Sequence, residues 1–338
     1  MFEGLDDIDW GALESGGGGA DIHELIRGLL DPDPLVREDS FGSLEIELLE
    51  FGYIHEAAVR AVPFLAEAAT AEGVPDRWRV VEMVAEIGGA EWLNDLDGDP
   101  GEDDPDGDGK PARAERAVAA ELPALLRALG DADPHVRKGA CLALTAPQVD
   151  GGRAFTALRE RWEVEDGFGP RLGIIMAIGR LGRTALRGRA NGVDPVRTGE
   201  WLVHTVRTCG DTGLRIDALT ELCSHPPEAF PADIVRTVVA ELEAYAREGA
   251  DPEVLRSDVF MADRRLGERV EDRISLLTAL MASPDRDLRL GAVMSVQDLV
   301  RWWNGDDGRL AAALGGLRDD PDEAVASWAD DQLSRMRE

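Results

Sequence analysis

Leu129-Gly130-Asp131-Ala132-Asp133-Pro134-His135-Val136-Arg137 is the stretch on which the fold turns, because the same phrase returns along the chain. Leu29-Leu30-Asp31-Pro32-Asp33-Pro34-Leu35-Val36-Arg37 is an earlier copy, and Met281-Ala282-Ser283-Pro284-Asp285-Arg286-Asp287-Leu288-Arg289 a later one. Leu317-Arg318-Asp319-Asp320-Pro321-Asp322-Glu323-Ala324-Val325 is the last and loosest. The phrase has a physical reading. An apolar helix ends at the leucine, and an aspartate caps the next helix by accepting a backbone N–H. Proline fits in the first helical turn, where its missing N–H costs nothing. The following Val or Leu opens a new apolar stripe, and the arginine beside it either points outward or pairs with a neighbouring repeat.

Working outward, Leu122, Leu125, Leu126 and Leu129 before the phrase follow helical spacing, as do Val136, Ala140, Ala143 and Leu144 after it. The small residues let two helices approach closely. Degenerate copies lie between. Asp211-Thr212-Gly213-Leu214-Arg215 leads into Ile216, Leu219 and Leu222, and Gly169-Pro170-Arg171 into Leu172, Ile175, Ile178 and Leu181. Helix pairs are expected near 21–51, 54–88, 112–145, 151–182, 196–224, 231–260, 267–303 and 306–336. Each pair is too small to bury its own apolar face and must stack on its neighbours. The expected fold is therefore all-α, a solenoid over 21–336 of about eight helix pairs.

The phrase L-x-D-x-D-P-x-V-R between two leucine-rich helices resembles a HEAT, or phycobilisome-lyase-type HEAT-like, repeat. Leu5-Asp6-Asp7-Ile8-Asp9-Trp10 and Gly52-Tyr53-Ile54-His55-Glu56-Ala57-Ala58-Val59-Arg60-Ala61-Val62-Pro63-Phe64-Leu65 are similar to a large family of bacterial HEAT-repeat proteins, most without an assigned function. His55 stands where that family has tyrosine. The resemblance implies a right-handed α-α superhelix of the HEAT or armadillo kind and an interaction role, with no specific reaction.

Composition agrees with helices. Apolar residues make up 44% of the 338, enough for a sizeable core, and aromatics only 5%. Against 36 basic residues stand 67 acidic ones, a net charge of -31, which repels nucleic-acid phosphates and favours basic partners. Lys110 and Lys138 are the only lysines; every other basic side chain is arginine. Cys141, Cys209 and Cys223 form no framework, which suggests a reducing compartment. With no signal peptide and no apolar run near the ~20 residues that span a bilayer, a cytoplasmic protein is expected.

Residues 1–20 read as a docking segment, with Phe2, Leu5, Ile8, Trp10 and Leu13, followed by a Gly-rich hinge. Residues 94–110, packed with Asp, Gly and Pro, read as an acidic insertion loop. Within it, Asp104, Asp106 and Asp108 with Glu115 match the spacing of an EF-hand calcium loop, in which alternate carboxylates converge on a hard cation. Arg180, Arg183, Arg187 and Arg189 make a basic island suited to an anion. Trp78, Trp92, Trp302 and Trp303, together with Tyr53, His55 and Glu56, are candidate partner anchors.

The five histidines show no zinc spacing, and no nucleophile elbow, Walker or dinucleotide fingerprint occurs. The expectation is a non-catalytic scaffold for a protein or peptide, with no cofactor beyond calcium at the acidic loop, and neither nucleic acid nor membrane as a partner. The alternatives are a HEAT-like enzyme, resembling a DNA glycosylase or a modifying lyase, or a calcium-responsive module using residues 104–115.

Overall fold

The computed structural model describes residues 1–19, 21–50, 53–89, 109–188, 192–225, 233–302 and 308–336. Seventeen α-helices occur among them. Each expected pair appears: α1 (Ile22–Gly28) with α2 (Pro34–Leu48), α3 (Glu56–Thr70) with α4 (Arg77–Ile87), and α8 (Gly151–Trp162) with α9 (Phe168–Leu186). The third pair has a broken first member, α5 (Lys110–Ala120) and α6 (Leu122–Ala128), before α7 (Pro134–Ala143). Pro123 sits in the first turn of α6, the place where a helix restarts rather than continues. Then follow α10 (Pro195–Thr208), α11 (Thr212–Cys223), α12 (Ile234–Arg247), α13 (Pro252–Arg265), α14 (Val270–Met281), α15 (Arg286–Trp302), α16 (Gly308–Gly316) and α17 (Glu323–Arg335). Leu5–Asp7 and Trp10–Ala12 are single 3-10 turns. The described β structure is a two-residue ladder, β1 (Leu49–Glu50) antiparallel to β2 (Tyr53–Ile54).

The chain divides into two units, Met1–Thr198 and Gly199–Glu338. In the first, α4, α7 and α9 pack in succession, with α3, α5 and α6 on one side of that row and α8 against α9. In the second, α11, α13, α15 and α17 make one layer, and α12, α14 and α16 the other. Neighbouring helices thus cover each other's apolar faces, the packing of an α-helical superhelix. Close approach within the rows depends on small residues. A Cβ added at Gly139 of α7 would meet Val81 of α4 at 3.1 Å, and one at Gly291 of α15 would meet Val259 of α13 at 3.3 Å. No helix of the described residues is long and apolar enough to cross a membrane.

The copies of the phrase share a turn geometry, with Ser283 in place of the first acid in the copy at 281–289, accepting from Asp285 N–H at 3.2 Å. The first acid accepts from the second acid's N–H: Asp131 from Asp133 and Asp31 from Asp33, both at 2.8 Å, and Asp320 from Asp322 at 2.9 Å. The second acid caps the new helix, Asp33 accepting from Leu35 N–H and Asp133 from His135 N–H. The arginine then turns back. Arg137 donates to the carbonyls of Asp131 and Ala132, and its Nε and Nη2 grip Glu165 at 2.7 and 2.9 Å. Arg37 holds the carbonyls of Asp31 and Pro32 and reaches Asp76; Arg215 holds those of Cys209 and Gly210 and reaches Glu241. Arg289 holds those of Ser283 and Pro284 and grips Asp320. Of the two readings of this arginine, the pairing one holds: it ties its own turn to a carboxylate later in the chain. After Asp322 the same place is Ala326, and the tie is not made there.

Arg137 and Glu165 form the most buried of these ties. Burial works against Glu165 ionising, but hydrogen bonds from Arg137, Gly167 N–H and Arg161 overcome it and hold the carboxyl at about 2, against an ordinary 4.5. Truncating Arg137 to alanine leaves that carboxylate buried and half-partnered, a loss of about 3–5 kcal/mol. Urea unfolding of R137A at pH 7 measures it, and a loss below about 1 kcal/mol refutes the buried-tie account. Because Glu165 titrates lower folded than unfolded, its contribution is full above pH 4.5 and fades as pH falls toward about 2. Glu165→Gln should flatten the stability curve in that window.

Candidate functional site

The fold gathers one polar cluster that no single stretch of sequence contains. Tyr53 lies on β2, His55 immediately precedes α3, and Glu56 opens it. Glu14 comes from the N-terminal segment, and its carbonyl accepts Ala57 N–H. Lys110 and Arg113 come from the first turn of α5, which packs against α3. Lys110 Nζ donates to Glu14 at 2.8 and 3.0 Å and to the Tyr53 hydroxyl, and lies 4.1 Å from the centre of the Tyr53 ring. Arg113 pairs with Glu56 at 2.5 Å. The His55 ring meets Tyr53 edge-on at 5.2 Å and is buried. Neither ring nitrogen makes a hydrogen bond, and Nδ1 lies 4.0 Å from the Glu14 carboxylate.

The electrostatics fix this arrangement. The Lys110 hydrogen bond holds the Glu14 carboxyl below its usual range. Burial works against the Lys110 ammonium, but Glu14 and the Tyr53 hydroxyl outweigh it and raise its value. Tyr53 itself remains 52% exposed. The result is an aromatic ring held by the Lys110 cation and the His55 ring, with about half of its surface left to solvent. Such a ring loses little rotamer freedom on binding, which is what an interface anchor needs.

The N-terminal segment completes this end of the unit. Phe2 and Trp10 meet Phe64 of α3 edge-on at 6.4 and 6.3 Å, and the Trp10 indole donates to the Leu5 carbonyl. Gly17 and Gly19 N–H both donate to the Glu47 carboxylate of α2. Gly16 passes so close to α2 that a Cβ there would lie 2.1 Å from the Ile46 carbonyl oxygen. Gly16 therefore passes the helix end at a distance no side chain tolerates.

The other anticipated positions lie on α4, α5, α9 and α15, at the end of α9, or outside the described residues. Trp78, half-buried on α4, lies 6.0 Å from the His135 ring. Trp302 ends α15, while Trp92 and Trp303 lie outside the described residues. Arg180 of α9 donates to the Gly89 carbonyl, Arg183 is buried, Arg187 caps the helix, and Arg189 lies outside the described residues. Asp104, Asp106 and Asp108 of the calcium reading also lie outside them, and Glu115 sits on α5. Among the described residues no group of three metal-ligating side chains occurs. Sequence reasoning named Tyr53, His55 and Glu56 but missed Glu14, Lys110 and Arg113. The separations, up to 96 residues, hide them. One signal was available: Lys110 is one of two lysines in an arginine-dominated chain.

No family model matches the chain. No curated protein matches it. Among solved structures, it is similar to an engineered protein from the Northeast Structural Genomics Consortium at 15% identity and a TM-score of 0.31, covering 94% of this chain and 99% of that one. A second engineered protein from the same consortium shows 16% identity and a TM-score of 0.28, covering 94% and 96%.

The second unit holds a contrasting group. Burial raises Asp217 of α11 to about 8, and the carboxylates of Asp258, Glu221 and Asp211 push it the same way. Burial raises Asp258 of α13 to about 7. A carboxyl that titrates higher folded than unfolded destabilises the fold as pH rises, here from about 3.8 to about 8. Asp217→Asn should therefore raise the melting temperature by several degrees at pH 8 and leave it nearly unchanged at pH 4. Calorimetric scans at the two pH values check this, and an equal shift at both would contradict the assignment.

Proposed function

We propose that the chain is a non-catalytic interaction scaffold built of HEAT-like repeats, binding a protein or peptide partner at the end of the first unit that presents Tyr53. The observation that carries this reading is the clamped ring: a half-exposed tyrosine held by Lys110, on a platform of Glu14, His55, Glu56 and Arg113. Anchors of this kind contribute most of the energy of an interface. The net charge of -31 favours a basic partner, because opposite charge speeds encounter and suppresses wrong pairings. Three free cysteines suit a cytoplasmic setting. The cysteines support a non-catalytic reading too, since burial pushes the Cys141 and Cys223 thiols well above their ordinary value, away from the nucleophilic thiolate.

Affinity capture from the native cell with wild-type and Tyr53→Ala bait, compared by quantitative mass spectrometry, tests the proposal. A basic protein enriched by the wild type and reduced at least tenfold, about 1.4 kcal/mol, by Y53A is expected. Lys110→Ala should reduce it in the same direction. Equal recovery on all three baits, or nothing enriched by the wild type, defeats the reading.

A further inference from the structure

The helix α2 leaves apolar side chains exposed along one face, with Gly16 passing the Ile46 carbonyl at its C-terminal end. Leu35 is 73% exposed, Ile46 55% and Val36 40%. Leu35, Asp39, Gly42 and Ile46 recur at spacings of four, three and four, so they form one stripe along the helix. Eleven residues separate its apolar ends, three helical turns or roughly 16 Å. The opposite face of α2 is spent on the core, with Ser40, Phe41, Leu44 and Leu48 buried and Arg79 of α4 over the Phe41 ring. A Cβ added at Gly42 would meet nothing within 4 Å, so the middle of the stripe is an open notch between two apolar posts.

The charges around the stripe choose its occupant. Asp39 lies within it, and Glu38 and Glu45 border it, all three exposed. Glu38 pairs with Arg79, whereas Asp39 and Glu45 make no ion pair among the described residues. The one basic residue of α2, Arg37, points back into the repeat turn and to Asp76. An anionic lipid surface or a nucleic acid is repelled by such a rim. A second copy of a chain carrying -31 is repelled as well. What fits is a helix with an apolar stripe of its own, flanked by lysine or arginine: its apolar residues seat on Leu35 and Ile46, its backbone approaches over Gly42, and its cations meet Asp39 and Glu45.

We propose that the exposed face of α2 is a docking surface for a cationic amphipathic helix of a partner protein. The inference rests on the scaffold reading and adds to it the place and the chemistry of one partner segment. The test is direct binding to the full chain, by fluorescence anisotropy, of a labelled 18-residue leucine–lysine peptide with helical amphipathic spacing. A scrambled peptide of equal composition is the control.

Wild type should bind the amphipathic peptide at least tenfold more tightly than the scrambled one. Leu35→Ser combined with Ile46→Ser, which leaves the charge unchanged, should abolish that preference. Asp39→Asn with Glu45→Gln should weaken binding and reduce its salt dependence. These side chains are exposed, so the variants should keep the wild-type melting temperature. Binding that ignores peptide spacing, or that survives the double serine substitution, overturns the inference. So does a wild-type dimer that the serine variant dissolves, which would give the face to a second copy. In affinity capture, a partner lost with Tyr53→Ala but kept by the serine variant also overturns it while the scaffold reading stands.

Discussion

The guanidinium of the repeated turn is the interaction on which each unit depends. A helix pair of this size cannot bury its apolar faces alone, so it needs neighbours at a set height and rotation. Arg37, Arg137, Arg215 and Arg289 set both. One edge of each planar fork is fixed on two carbonyls of its own loop, and the other reaches a carboxylate later in the chain. Lysine has one point charge and cannot do this, which gives a structural reason for arginine at these places. The aspartates serve the same turn, orienting the loop and capping the helix whose first residues carry the arginine. Additional ties, such as Arg77 to Asp131 in the first unit and Arg286 to Asp322 in the second, follow the same edge. Much of the chain's acid is therefore structural and already matched by arginine.

A bulk excess of carboxylates says only that the molecule is acidic. The structure separates those spent on ties, such as Glu165 and Asp320, from exposed ones that meet no cation among the described residues, such as Asp39 and Glu45. It also shows a third kind, Asp217 and Asp258, which burial keeps protonated across part of the physiological range. Only the second kind is free to steer a partner. It occurs on α2 beside exposed apolar side chains, the combination that makes charge useful for recognition rather than for solubility alone.

The N-terminal segment meets both the Tyr53 cluster and the C-terminal end of α2. The N-terminal segment packs its aromatic residues on α3 and sends Glu14 to Lys110, while its glycines pass over the end of α2. A platform built this way is rigid because each side chain has two tasks. Lys110 neutralises Glu14 and fixes the tyrosine ring; Glu14 receives the ammonium and, through its backbone, caps the start of α3. His55 is the exception, a buried ring with both nitrogens unbonded beside a carboxylate at 4.0 Å.

The helices, their pairing and the turns between them were legible in the sequence, because capping, proline placement and 3.6-residue periodicity are local. Leu122 to Leu129 and Asp133 to Arg137 carry their own instructions, and the expected pairs match the observed helices closely. The break at Glu121 that divides α5 from α6 was foreshadowed by Pro123 but not read. What the tertiary structure alone decided is which distant side chains meet. Glu14, Tyr53 and Lys110 converge because α3 packs against α5 and the N-terminal strand of chain crosses both, and no spacing rule links positions up to 96 apart. The same holds for the α2 face. Leu35 and Val36 read as the opening of an apolar stripe bound for the core, yet only Phe41, Leu44 and Leu48 face a neighbour. Periodicity shows that a helix has an apolar side; only packing shows which apolar residues find a neighbour to cover them.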